Sequence, residues 1–193
     1  MSKDVLQQLL EGNRRYAAEG LTLDASAHRR TEVTAGQQPC AIILGCVDSR
    51  VPPELIFDQG LGELFVIRTA GQVLDKAALG SLEFGVAELH IPLLVVLGHE
   101  HCGAVKAAIE TLEQHEAAEA DIAYLVEALT PAVRAGEKAG GDVWDSAVRA
   151  QIMMLVEELK RSPVLSAAVE AGKLKIVGAW YSLETGLVEI TVA

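Results

Sequence analysis

Two short apolar runs end in the same way. Ala41 to Leu44 stops at Gly45 and is followed by Cys46, and Leu93 to Leu97 stops at Gly98 and is followed by His99. Short continuous runs of this kind, closed by glycine, predict strands buried on both faces of a parallel sheet. The first strand is expected over 39–45 and a third such run, Leu64 to Arg68, supplies another. Lys173 to Tyr181 alternates, with Gly178 as a bulge, and connects through Glu184-Thr185-Gly186 to Leu187–Val192, which reads as a hairpin. Helical spacing appears over 4–18, where Val5, Leu6, Leu9, Leu10 and Tyr16 form a stripe closed by Gly20. It appears again from the Asp75 cap to about Glu88, from Cys102 to Glu113 and from Glu116 to Leu129. Pro131 is expected to start a separate piece ending near Gly140 and Gly141. Asp142 then caps a long helix carrying Val148, Ile152, Leu155, Val156 and Leu159, and Ser162-Pro163 opens a short one. Residues 20–38 read as irregular, with one helical turn at Glu54 to Asp58. The order predicts an α/β fold with a central, mostly parallel sheet flanked by helices and a C-terminal antiparallel hairpin. An N-terminal helical arm over 1–38 packs on a partner subunit in this reading, and the whole of 1–193 forms one domain.

Composition narrows the function. There are 16 basic and 27 acidic residues, a net charge of −11, so the basic footprint of a nucleic-acid binder is missing. Half of the residues are hydrophobic and only 4% aromatic, which favours a helix-rich α/β protein. No apolar window approaches the ~20 residues of a membrane span. Met1-Ser-Lys-Asp lacks a signal-peptide core, so a soluble, cytoplasmic protein is expected. Three cysteines make a poor disulfide framework but suit a metal site in a reducing compartment.

The candidate chemistry lies at the strand ends. Ligands bind beyond the carboxyl ends of strands in an open parallel sheet. Strands ending in Leu-Gly-Cys and Leu-Gly-His would deliver Cys46, His99 and Cys102 to one place. Two thiolates and an imidazole suit zinc, and three protein ligands leave a fourth position open. His99 and Cys102 are three apart where a strand passes into a helix, a spacing that shares a face. Cys40 is about 20 Å from Cys46 along an extended strand and reads as a buried small hydrophobe. Asp48 and Arg50 can pair through charge-assisted hydrogen bonds. That aspartate can accept a hydrogen bond from metal-bound water or take the fourth ligand position in a closed state. His101 reads as a surface or interface residue.

Cys46-x-Asp48-Ser49-Arg50, followed by Gly98-His99-x-x-Cys102-Gly103, resembles the β-class carbonic anhydrases. So do Gly12-Asn13-Arg14-Arg15-Tyr16 and Phe65-Val66-Ile67-Arg68-Thr69-Ala70-Gly71. The resemblance implies one zinc ion per chain on Cys46, His99 and Cys102, with Asp48 and Arg50 as a catalytic dyad. It implies reversible hydration of carbon dioxide to bicarbonate and a proton by a zinc-bound hydroxide. It also implies a homodimer, or a larger homo-oligomer such as a tetramer, with active sites near the interface. Gln37, Phe65 and Phe84 match the substrate-pocket positions of the plant-type members, where the last is a tyrosine, and the Gly103 N–H is placed to stabilise developing negative oxygens. One branch of the family has a regulatory bicarbonate site that needs a tryptophan three residues before the first zinc cysteine. Ile43 stands there, so the resemblance does not extend to that site. The rival readings are a carbonyl sulfide or carbon disulfide hydrolase on the same scaffold and a noncatalytic zinc sensor. The glycines form no G-x-G-x-x-G or phosphate-loop pattern, which leaves a nucleotide-binding module little support.

Overall fold

A computed structural model describes residues 4–115 and 117–192. Five strands, β1 (Ala41–Cys46), β2 (Leu64–Thr69), β3 (Leu93–His99), β4 (Lys175–Tyr181) and β5 (Val188–Val192), form one sheet in the order β2-β1-β3-β4-β5. The first four are mutually parallel and β5 runs antiparallel to β4. β1 and β3 are buried along their whole length, as their unbroken apolar runs require, whereas β2 at the edge is half-buried throughout. The chain leaves β1 for β2 on one side and returns through β3 on the other. The ends of β1 and β3 therefore flank the point where strand order reverses, the natural crevice of an open sheet.

The helices among the described residues are α1 (Val5–Ala17), α2 (Ala27–Glu32), α3 (Pro53–Ile56), α4 (Lys76–Ala87), α5 (Gly103–Gln114), α6 (Ile122–Ala139), α7 (Val143–Leu159) and α8 (Pro163–Glu170). Carboxylates and hydroxyls start them as the sequence suggests. Asp75 accepts from the Ala78 N–H, Asp142 from Trp144 and Ser162 from Leu165. α7 lies along β3, β4 and β5. Its Ile152 sits so close that a Cβ at Gly98 would fall 2.5 Å from the Ile152 Cδ1, and one at Gly178 2.5 Å from its Cγ2. The bulge expected at Gly178 is present, between Gly178 and Ala179.

Three expectations are corrected. Residues 20–38 are not wholly irregular: Ser26 caps α2, and a 3₁₀ turn follows at 33–35. Pro131 does not start a new helix but lies within α6. It is on the exposed side of that helix. The buried stripe Val126, Leu129, Ala132, Val133, Gly136 runs on past it, so packing outweighs the lost hydrogen bond. The helix expected over 116–129 begins later: residue 116 lies outside the described residues, 117–121 are not helical, and α6 starts at Ile122.

The N-terminal arm divides. α1 is fastened to its own chain, with Leu6 and Leu9 in the core. The Asn13 Nδ2 donates to the Ile56 and Gly186 carbonyls, and its Oδ1 accepts from the Val188 N–H. Arg15 pairs with the carboxylate of Asp58. α2, in contrast, buries no residue in this chain.

Candidate metal centre

Cys46 is the last residue of β1 and His99 the last of β3, and Cys102 is the cap from which α5 starts. Parallel pairing of β1 with β3 sets Gly45 beside Leu97, which carries both strand ends to one level. The donor atoms of Cys46, His99 and Cys102 all lie within 4.8 Å of one another, and the three residues are buried. The two sulfurs are 3.9 Å apart. Tetrahedral zinc with Zn–S near 2.3 Å separates two thiolates by about 3.8 Å, so the spacing fits.

The imidazole is set for a metal. His99 Nδ1 lies 2.8 Å from the Glu100 carbonyl, which places the proton on that nitrogen and leaves a lone pair on Nε2. Nε2 is buried and has no hydrogen-bond partner, a costly state for a polar atom unless a ligand satisfies it. Charge leads to the same conclusion. The hydrogen bond from Cys102, helped by His99 and the N–H groups of Asp48 and Gly71, pulls the Cys46 thiol well below the usual thiol range. That same contact, together with burial, pushes Cys102 up. Two thiolates this close in a buried site repel each other. Holding both as thiolates takes a cation.

Asp48 stands beside this cluster, its Oδ2 4.0 Å from the His99 Nε2. Arg50 grips it with a fork. Its Nε donates to Oδ1 at 3.0 Å and its Nη2 to Oδ2 at 2.7 Å, while its backbone N–H reaches Oδ1 at 2.9 Å. The Arg50 side-chain hydrogen bonds hold the Asp48 carboxyl down at about 2, so it is ionised throughout the neutral range. Arg50 also donates to the His101 carbonyl at 3.3 Å, tying the β1 turn to the β3 turn.

Several residues the sequence did not single out for the metal brace this arrangement. Arg68 on β2 donates through Nε to the Cys46 carbonyl at 2.7 Å and through Nη2 to the Asp48 carbonyl at 2.6 Å. Buried Gln72 donates to the Leu97 carbonyl at 2.6 Å. Glu100 accepts from the Ser182 hydroxyl and the Glu184 N–H, locking the β3 turn to the β4–β5 hairpin. The Trp144 indole N–H donates to the Cys102 carbonyl at 2.9 Å. The only local sign of such a role is a bulky or charged residue standing near a ligand, as Glu100 does between two of them.

Other candidates are elsewhere. Gly103 begins α5, and its N–H belongs to the first turn, which the helix itself leaves unpaired. Phe65 pairs with Ile42, four residues and about 13 Å along β1 from Cys46. Its ring stacks on exposed Phe84 with centroids 6.5 Å apart. Gln37 precedes β1 and lines a surface cavity of about 410 Å³ with Arg29, Glu32, Val33 and Gly62. Gln37 and Phe65 thus lie toward the amino ends of β1 and β2, away from the strand ends that carry the metal cluster of their own chain. Cys40 is half-buried beside Gln59, with burial raising its thiol, and takes no part.

Comparison with known proteins agrees with this geometry. A family model described as carbonic anhydrase matches residues 41–188. The chain is 42% identical over 184 residues to a carbonic anhydrase of Mycolicibacterium smegmatis, covering 94% of this chain and 89% of that one. It is also 42% identical over 180 residues to carbonic anhydrase 2 of Mycobacterium tuberculosis, covering 92% and 87%. Among solved structures, a Coccomyxa β-carbonic anhydrase in complex with acetazolamide superposes with a TM-score of 0.74 at 29% identity, covering 98% of this chain and 86% of that one.

Proposed function

The chain belongs to the β-class carbonic anhydrase family, and from that premise we propose that Cys46, His99 and Cys102 hold one zinc ion at which carbon dioxide is reversibly hydrated to bicarbonate and a proton. One observation carries the assignment of these residues: a buried, unpartnered His99 Nε2 converges with two thiols beside an ionised, arginine-held carboxylate. Zinc, when bound, supplies the Lewis acidity that brings water to ionise near neutral pH.

The chain's own residues do the rest. Asp48, ionised at neutral pH, accepts a hydrogen bond from the attacking water and turns its lone pair toward the carbon. Arg50 keeps the carboxylate in that pose and off the metal. Ala104 and Val105 give their N–H groups to the Cys102 sulfur, which leaves the Gly103 N–H at the start of α5 to face the oxygens on which negative charge grows. Phe65 and Phe84 complete an apolar wall from a second copy of the chain, and the Gln37 amide of that copy joins the Gly103 N–H in stabilising the developing negative oxygens. Two features support this: β2 is a half-buried edge with exposed Phe84 and Val47 nearby, and α2 finds no packing at home. The protein then works as a homodimer or larger homo-oligomer. No helix among the described residues is long and apolar enough to cross a membrane. Three free cysteines suit the reducing cytoplasm. The relatives do not favour the sulfur-substrate hydrolase or the noncatalytic sensor.

Stopped-flow hydration of carbon dioxide, with zinc measured on the same sample, tests this reading. Hydration with about one zinc per chain is expected. Full zinc with no hydration, and turnover of carbonyl sulfide instead, would overturn it.

A further inference from the structure

Trp144 is in the first turn of α7, 42 residues beyond the last metal ligand. Its indole nitrogen nevertheless points at the backbone of that ligand, donating to the Cys102 carbonyl at 2.9 Å. The same carbonyl accepts from the Lys106 N–H at 3.0 Å, the first bond of α5, so it is held from two directions. The indole also lies against the His101 ring, with centroids 5.0 Å apart. His101 has a left-handed backbone, φ 52°, which an ordinary side chain adopts only when its surroundings impose it. Those surroundings are Trp144 on its ring and Arg50 on its carbonyl. Asp142, the cap of α7, accepts from the Trp144 N–H and fixes where the indole starts.

We propose that Trp144 is a positioning residue of the metal centre: it sets the peptide that presents the Cys102 thiolate and, through His101, the carbonyl on which Arg50 rests. The proposal rests on the zinc reading above. The contact is specific to this ring: the indole N–H of Trp144 meets a ligand's carbonyl, whereas the buried indole N–H of Trp180 has no partner. The hydrogen bond restricts rotation of the 102 peptide, and the left-handed turn at 101 passes that restriction to the arginine that holds Asp48. Outer hydrogen-bond partners of this kind typically change metal affinity by about 10- to 100-fold.

The test uses the full chain with Trp144→Phe, which keeps a ring on His101 and removes the N–H. Zinc affinity is measured by chelator competition, and the cobalt-substituted protein by its thiolate-to-cobalt charge-transfer band. The expected result is a zinc affinity about 10- to 100-fold weaker, a shifted charge-transfer band, and a fall in kcat with little change in KM. Should Trp144→Phe fold poorly, benzothienylalanine at 144 in a Trp180→Phe background preserves shape and removes only the donor; the same shifts are expected. Wild-type affinity and an unshifted cobalt band in the donor-less protein would overturn the proposal, as would a lowered melting temperature with those two unchanged. If the wild-type chain itself takes up neither zinc nor cobalt, the zinc reading fails, and the role of Trp144 with it.

Discussion

The two ends of the β1–β2 pair are finished to different degrees. At the carboxyl end, three metal-binding donors, an ionised carboxylate, its arginine and the Arg68 brace are all held by bonds within one chain. At the amino end, Phe65 and Phe84 stack on each other with Phe84 half-exposed, and Gln37 lies in solvent. Burying an unpaired charge or lone pair is expensive, so a group that must be buried needs its partners close at hand. Apolar groups tolerate exposure and can wait for a partner. The chain accordingly brings its metal-binding donors together by itself, whereas the wall proposed for carbon dioxide stays open in a single chain.

That contrast can be broken from the closed end first. Cys102→Ser removes a donor outright and should weaken zinc binding by well over the ~100-fold that loss of an outer partner costs. Metal analysis showing full zinc would remove Cys102 from the ligand set. Asp48→Ala should keep zinc and lose about 10²- to 10⁴-fold in turnover, the usual share of a proton-handling group; unchanged hydration at neutral pH would exclude Asp48 from the reaction.

A third effect is smaller and is read in the metal-free protein. The Asp48 carboxyl is held at about 2, below its ordinary value of 3.8. Its stabilising contribution is therefore complete above about pH 4 and is lost as pH falls toward 2. Urea midpoints between pH 5 and 2 should decline more steeply in the wild type than in Asp48→Asn, and parallel curves would contradict the ion pair. The smallest effect belongs to the open end. Phe84→Ala forfeits one exposed ring contact and should cost less than about 1.5 kcal/mol in stability. If a second copy uses that ring, KM for carbon dioxide rises, within about tenfold, and sedimentation reports a weaker oligomer. No change in either would keep Phe84 out of the pocket.

What the sequence showed and what it hid divide along a similar line. Cys46, His99 and Cys102 were legible because each closes or follows an apolar run at a glycine, a local pattern that needs no partner to be read. Asp48 and Arg50 are two residues apart, and their fork is local too. Arg68, Gln72 and Trp144 were not assigned these contacts, since each acts on a carbonyl 20 to 42 positions away in the chain, set by sheet register and helix packing. Ordinary composition hid α2, six mostly polar residues with no buried face. Pro131 misled because local backbone cost is visible in a sequence, whereas the stripe on α6 that offsets it is recognised only once α7 is in place against it.

The strand order also sets a clock. Cys46 and Cys102 are 56 residues apart, and what brings them together is a parallel pairing, which no hairpin can nucleate. The intervening segment, with the whole of β2 and α4 in it, has to loop back before the donor set exists, and non-local closures of this kind come late in folding. A nascent or misrouted chain thus has the local pair of His99 and Cys102 to offer, but not Cys46 beside it. The three donors stand together only once β1 has closed on β3, so the full donor set is itself a mark of a finished central sheet.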